Sequence, residues 1–76
     1  MLTEQRFSRI FGIVGTLSPY SQITVRELAN EYEVSSRTIQ RDIKALQNAK
    51  LGVFYEGHKL KISRTGYKKI RSWMLG

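Results

Sequence analysis

The sequence contains no cysteine, one histidine and one proline, and it has six acidic residues against thirteen basic ones. Without cysteine the chain has neither a disulfide framework nor a thiolate metal site, and one histidine cannot build a zinc site without several converging carboxylates. Its apolar runs are far too short to span a bilayer, and no signal-peptide pattern is present. We therefore predict a soluble, cytoplasmic protein with no metal and no contact with a membrane.

The length of 76 residues corresponds to one small domain, residues 1–76, without repeats or linker-like segments. Such a chain buries only about 60% of its unfolded surface and has little room for a deep substrate pocket. A catalytic triad would need His58 and Asp42, which share no cleft, and the six glycines are scattered rather than grouped in a phosphate loop. The sequence predicts that the protein is not an enzyme and uses no cofactor.

The positive charge is concentrated in the second half of the chain. Residues 1–33 carry three basic and four acidic side chains, whereas residues 34–76 carry ten basic and two acidic ones. A net charge of +7 placed this unevenly indicates one face directed toward a polyanion such as nucleic acid. Small basic proteins that bind nothing acidic are also common, so the sequence motifs must decide whether this chain binds nucleic acid.

Three amphipathic helices are predicted before residue 50. In the first, which ends before Ser18-Pro19, apolar residues recur at spacings of three and four and therefore share one face. These residues are Phe7, Ile10, Phe11, Val14 and Leu17.

A capping box marks the second helix, over about residues 25–32. We expect the Thr24 hydroxyl to accept the amide of Glu27, whose carboxylate reaches back to the amide of Thr24. Ser35 then caps a third helix with the buried side Ile39, Ile43 and Leu46. Its exposed side chains are Ser36, Arg37, Gln40, Arg41 and Lys44.

A β-hairpin and a fourth helix complete the chain, and a short strand is expected at residues 22–24. Residues 53–55 and 59–62 alternate with a period of two, and the two-residue loop is either Glu56-Gly57 or Gly57-His58. Both registers place Val53, Tyr55, Leu60 and Ile62 on one face and Phe54, Lys59 and Lys61 on the other. The last helix begins after Ser63 and directs Tyr67, Ile70 and Met74 into the core.

This order of elements resembles a winged helix-turn-helix domain. Residues 34–46, VSSRTIQRDIKAL, are similar to the helix-turn-helix signature of the DeoR-type and WYL-containing bacterial regulators, and the resemblance covers about residues 20–62. It implies an α+β fold with a three-helix core, a hairpin wing and a C-terminal helix. It also implies sequence-specific binding of double-stranded DNA by a transcription regulator, such as a repressor. Such regulators usually carry a carboxy-terminal effector-sensing domain, whereas the resemblance found here covers the DNA-binding domain alone.

The third helix, about residues 36–47, is the predicted recognition helix in the major groove. Arg37, Gln40 and Arg41 can reach base edges, since Arg pairs bidentately with guanine and Gln with adenine. Lys44 lies one turn further along and is expected to contact phosphate. The alternative interpretation is an ordinary solvated helix face.

Hydroxyl side chains at two helix starts form a second group of candidates, namely Ser35, Ser36 and Thr38 at the third helix and Thr24 at the second. They initiate helices, and an open helix N-terminus also attracts phosphate through its free amides and its dipole. Asp42 would repel phosphate if it faced DNA. We therefore predict that it pairs within the domain and positions the neighbouring arginines.

The hairpin, about residues 53–62, is the predicted wing on the DNA backbone or in the minor groove. Its candidates are His58 at the tip and Lys59 and Lys61 on the outer face. Alternating lysines also protect edge strands from aggregation, which is the alternative explanation.

Tight binding is expected to need two copies on DNA, because one recognition helix contacts only a few base pairs. The fourth helix leaves Trp73 and Leu75 for the start of a homodimer contact. Two other classes remain open: the N-terminal DNA-binding part of a bifunctional enzyme such as a biotin-protein ligase, and a winged-helix adaptor in a protein assembly.

Overall fold

A computed structural model describes residues 2–75, with side chains described for residues 5–73. In this part of the chain four helices and three strands follow the predicted order: α1 (Leu2–Thr16), β1 (Ile23–Thr24), α2 (Val25–Tyr32), α3 (Ser36–Asn48), β2 (Val53–Glu56), β3 (Lys59–Ile62) and α4 (Arg64–Leu75). The predicted α+β winged helix-turn-helix architecture is confirmed. Helices α1 to α3 form the helical part, β2 and β3 form the wing, and α4 follows.

Local hydrogen bonds define the starts of α2 and α3. The Thr24 hydroxyl accepts the Glu27 amide at 3.1 Å, and a Glu27 carboxylate oxygen accepts the Thr24 amide at 2.9 Å, so the capping box is confirmed. The Ser35 hydroxyl accepts the amide of Thr38 at 3.1 Å. Between the helices Glu33 adopts a left-handed conformation with φ 55°, which ends α2 and turns the chain toward α3.

The sheet is antiparallel with the strand order β1-β3-β2. Tyr55 lies opposite Leu60, so the loop is Gly57-His58, one of the two predicted registers. Gly57 has φ 64°, a conformation that L side chains rarely adopt, and glycine therefore permits this tight turn. Because Ile23 of β1 pairs with Leu60 of β3, the wing is anchored at the start of α2.

The core lies between the helices and one face of the sheet. The predicted inner side of α3 is confirmed, since Ile39 and Ile43 have no exposed surface and Leu46 is buried. The buried apolar residues are Ile13, Val14, Leu17, Leu28, Ala29, Ile39, Ile43, Leu46, Leu51, Val53, Leu60, Ile62 and Ile70.

The side of α1 that faces the core differs from the predicted side. Ile13, which was not predicted, is fully buried, whereas Phe7 and Phe11 are 69% and 53% exposed. The two phenyl rings stack on each other with centroids 6.1 Å apart. Apolar residues form a wide arc on α1, so their spacing alone cannot determine which of them face the core.

Helix α4 packs closely against the segment that precedes β2. A Cβ atom at Gly66 would collide with the backbone carbonyl of Leu51, so glycine permits the close approach. Ile70 is buried as predicted and Tyr67 is partly buried, whereas the side chain of Met74 lies outside the described residues.

Candidate nucleic-acid interface

The buried side of α3 determines the direction of its polar side chains. Because an α-helix has 3.6 residues per turn, Arg37, Arg41 and Lys44 lie opposite the buried isoleucines. All three are exposed, and we call them the α3 basic stripe. Gln40 and Ser36 are also exposed, on the flank of α3 that faces the hairpin.

The charges of the α3 basic stripe are not neutralised within the described part of the chain. The ion pairs formed by residues 5–73 use other basic side chains. Three free cations on one outward-facing helix surface can attract phosphate and donate hydrogen bonds to guanine.

Asp42, the acidic residue of α3, is only 1% exposed. Arg9 of α1 binds both of its oxygens: Nε donates to Oδ2, and a terminal nitrogen donates to Oδ1 at 3.2 Å. Arg6 Nε lies 3.6 Å from Oδ1. The hydrogen bond to Asp42 raises the pKa of Arg9 above its ordinary value.

The ion pair of Asp42 therefore differs in its partners from the prediction. Asp42 lies on the side of α3 that faces α1, and it binds Arg9 and Arg6 rather than the arginines of its own helix. The carboxylate consequently fixes α3 as a whole against α1, and its negative charge is removed from the α3 basic stripe.

A cleft of about 520 Å³ lies beside α3, between the helix, the start of α2 and the tip of the hairpin. Its lining brings together four of the predicted residues, Thr24, Ser36, Gln40 and His58. The α3 basic stripe lies on the adjoining surface. A projecting helix next to a polar cleft and a hairpin has the shape required to enter a duplex groove and contact the neighbouring backbone.

Two further polar side chains line the cleft and were not among the predicted residues, Arg26 and Tyr55. Arg26 lies in the first turn of α2, where a cation is unfavourable next to the helix dipole, and this local conflict is a signal that could have found it. Tyr55 was predicted on the inner face of the hairpin but is 44% exposed. Partial burial raises the pKa of its phenol, so its hydroxyl remains a hydrogen-bond donor at neutral pH.

The two lysines of β3 differ in their surroundings. Lys59 is exposed. The Lys61 side chain is 12% exposed, its ammonium group donates to the carbonyl of Ser21 at 2.9 Å, and Glu56 Oε1 lies 3.7 Å away. Lys61 is thus held within the protein, whereas Lys59 and His58 remain accessible at the tip.

The hydroxyl groups at the helix starts are already used in capping. Thr24 Oγ1 also lies 3.1 Å from a Glu27 carboxylate oxygen, and the Ser35 and Thr38 hydroxyl oxygens are 3.0 Å apart. Ser36, by contrast, directs its exposed side chain toward the cleft. An anion at the start of α3 would therefore meet backbone amides and Ser36.

The fold and this surface define a class, the winged helix-turn-helix domains. Residues 9–68 match the family described as HTH domain, and the chain belongs to that family. The match includes α2, α3 and the whole hairpin. No curated protein and no solved structure gives a significant match to the chain.

Membership of the HTH domain family indicates DNA binding, with double-stranded DNA as the partner. Among residues 2–75 no helix is both long enough and apolar enough to cross a membrane. The α3 basic stripe and the cleft thus belong to a DNA-binding domain.

Proposed function

We propose that residues 1–76 act as one DNA-binding domain of a cytoplasmic transcription regulator that recognises a specific double-stranded sequence. Residues 36–47 lie in the major groove, and the hairpin lies on the backbone or in the adjacent minor groove. The observation that carries this proposal is the α3 basic stripe, which presents three exposed cations opposite the buried side of the helix, with no ion-pair partner among residues 5–73.

Sequence preference is assigned to the first half of α3. Arg37, Gln40 and Arg41 contact base edges, because guanidinium and amide groups can form paired hydrogen bonds with guanine and adenine. Lys44 lies one turn further along and contacts phosphate, which fixes the register without carrying sequence information.

Phosphate contacts surround these base contacts. They come from the N-terminal ends of α2 and α3 and from the tip of the hairpin. The residues assigned to them are Thr24, Ser35, Ser36, Thr38, His58 and Lys59, with Lys61 adding positive potential from its position against Ser21.

The regulator is of the DeoR or WYL type, because the signature string of those families coincides with the start and the outer side of α3. It acts as a non-enzymatic repressor, since a domain that only occupies its site excludes other proteins from that DNA. Two copies occupy adjacent half-sites, which doubles the number of base pairs recognised.

Selection of bound duplexes from a random pool tests this proposal, because it reports binding, sequence preference and site symmetry together. We expect one enriched motif, and we expect Arg41→Ala to lose the enrichment. Lys69→Ala is the charge-matched control, since it removes the same charge from an exposed position of α4. No enrichment by the natural chain, together with unchanged amide shifts of residues 35–44 on addition of DNA, would contradict the proposal and favour a protein-interaction role.

A further inference from the structure

An apolar groove lies between α1 and α4, at the end of α3 that is distant from the cleft. Its volume is about 340 Å³, and all of its lining side chains are apolar. Leu46, Leu51 and Ile70 form its floor, and Phe7, Phe11 and Trp73 form its rim. We call it the α1–α4 groove.

The rim presents a large aromatic surface to water. Phe7, Phe11 and Trp73 are all more than half exposed, Trp73 by 59%. Since a large aromatic side chain offers about 200 Å², these three expose about 350 Å². Contiguous apolar patches of this size on small proteins are commonly interaction sites.

We propose that a second copy of this chain docks at the α1–α4 groove when the protein binds DNA. A homodimer interface buries about 800 Å² per partner, of which about 65% is apolar. The three rim residues alone supply about two thirds of that apolar area. Their exposed area is therefore a large part of the apolar area that a dimer requires.

The shape and chemistry of the groove favour a second copy over a small molecule. In a two-fold interface the same patch faces itself, so a patch with both projecting rings and a recess can fit its own copy. Ligand pockets usually add a few polar groups that orient the ligand, whereas the groove surface formed by the described residues is apolar.

The position of the groove is compatible with DNA binding. Ser36 lines the cleft and Leu46 lines the groove, and ten residues of helix separate them by about 15 Å. The folded chain measures 30 × 29 × 20 Å, so the centres of two touching copies are about 20 to 30 Å apart. Their α3 helices can then reach half-sites about 34 Å apart.

Charge determines when the copies associate. Each copy carries +7, and this repulsion opposes association of the free protein at low salt. DNA neutralises the charge, and added salt screens it. Self-association should therefore strengthen with salt, whereas DNA binding weakens. This inference rests on the proposed function only for the role of DNA.

Two experiments test the inference. The first is sedimentation of the 76-residue chain at rising salt concentration, and the second is titration of duplexes with one or two selected half-sites. We expect a shift from monomer toward dimer with salt, and cooperative filling of the double site. Phe7→Ser and Trp73→Ser should each weaken self-association at least tenfold and remove the cooperativity, with unchanged affinity for a single half-site. Tyr20→Ser, which removes an exposed aromatic ring outside the groove, is the matched control and should change neither.

Each outcome has a separate meaning. A chain that remains monomeric at high salt and fills two half-sites independently would overturn the inference and assign the groove to a different partner. Dimers that become stronger with salt but bind no duplex would support the α1–α4 groove as the dimer interface and contradict the proposed function. Circular dichroism of each variant verifies that it is folded.

Discussion

The two ends of α3 belong to surfaces of opposite character. At its start, Ser36 and Gln40 line a polar cleft beside exposed cations, and at its far end Leu46 forms part of the floor of an apolar groove. Binding of a polyanion at the first surface weakens as salt is added, whereas apolar contact at the second is unaffected or strengthened. One helix of 13 residues thus serves two surfaces that depend on different forces.

The difference implies that the two surfaces can be altered independently. Substitutions on the outer side of α3 should change DNA binding alone, and substitutions on the groove rim should change association alone. Substitutions of residues that hold α3 in place should change both DNA binding and association.

The largest effect is expected from Ile43→Ala, which removes core support from both surfaces together. Ile43 is fully buried, and truncation of such a residue costs about 2 to 5 kcal/mol, comparable to the whole stability of a small domain. Thermal melting followed by circular dichroism should therefore show a large loss of stability, and DNA binding should disappear with folding. An unchanged melting temperature would refute the assigned orientation of α3.

Asp42→Ala tests the connection between α1 and α3. It leaves the guanidinium of Arg9 without its acceptor in a mostly buried position, at a cost of about 1 to 3 kcal/mol. Urea unfolding should show this loss, and Asp42→Asn should recover part of it because one acceptor oxygen remains. Lys44→Ala, on the exposed side of the same helix, is the control. Equal unfolding midpoints for Asp42→Ala and Lys44→Ala would contradict a structural role for the ion pair.

Substitutions in α3 should distinguish the residues that contact bases from the residue that contacts phosphate. Arg41→Ala or Gln40→Ala should reduce discrimination between the selected site and a scrambled duplex by about 1 to 3 kcal/mol. Lys44→Ala should weaken binding to both duplexes by the same factor. Competition titrations measure these ratios, and the division of roles fails if Arg41→Ala also lowers both affinities equally.

The smallest effect concerns the two lysines of the hairpin. For about five phosphate contacts, a plot of the logarithm of affinity against the logarithm of salt concentration should have a slope of about −4 to −5. Each lost contact should reduce the magnitude of this slope by about 0.9. Lys59→Ala should produce that reduction. Lys61→Ala should produce less, because the ammonium group of Lys61 is held by Ser21 and Glu56. Titrations at several salt concentrations provide the slopes, and the reverse order would place Lys61 on the DNA.

The parts that the sequence predicted are those with local causes. The capping box at Thr24 predicted α2 at the residues that it occupies, and Ser35 predicted the start of α3, because both signals act within four residues. The inner side of α3 was also predictable, since its apolar residues form one narrow stripe.

The parts that the sequence did not predict depend on contacts between distant elements. Arg9, the partner of the buried Asp42, lies 33 residues away from it, and Lys61 donates to a carbonyl 40 residues away. The exposure of Phe7 and Phe11 depends on which side of α1 the other elements cover. No local pattern carries this information, because helix propensity and capping act only between near neighbours.

Thr24 is both the last residue of β1 and the N-cap of α2. Its backbone lies opposite Lys59 in β3, and its side chain holds the first turn of the helix. The angle between hairpin and helices is therefore set before any DNA arrives, and little internal entropy is lost on association. Because the protein is preorganised, the DNA duplex must change its shape to fit the protein. Flexible pyrimidine–purine steps between and beside the contacted bases should then influence which sites are chosen, even though no side chain touches them.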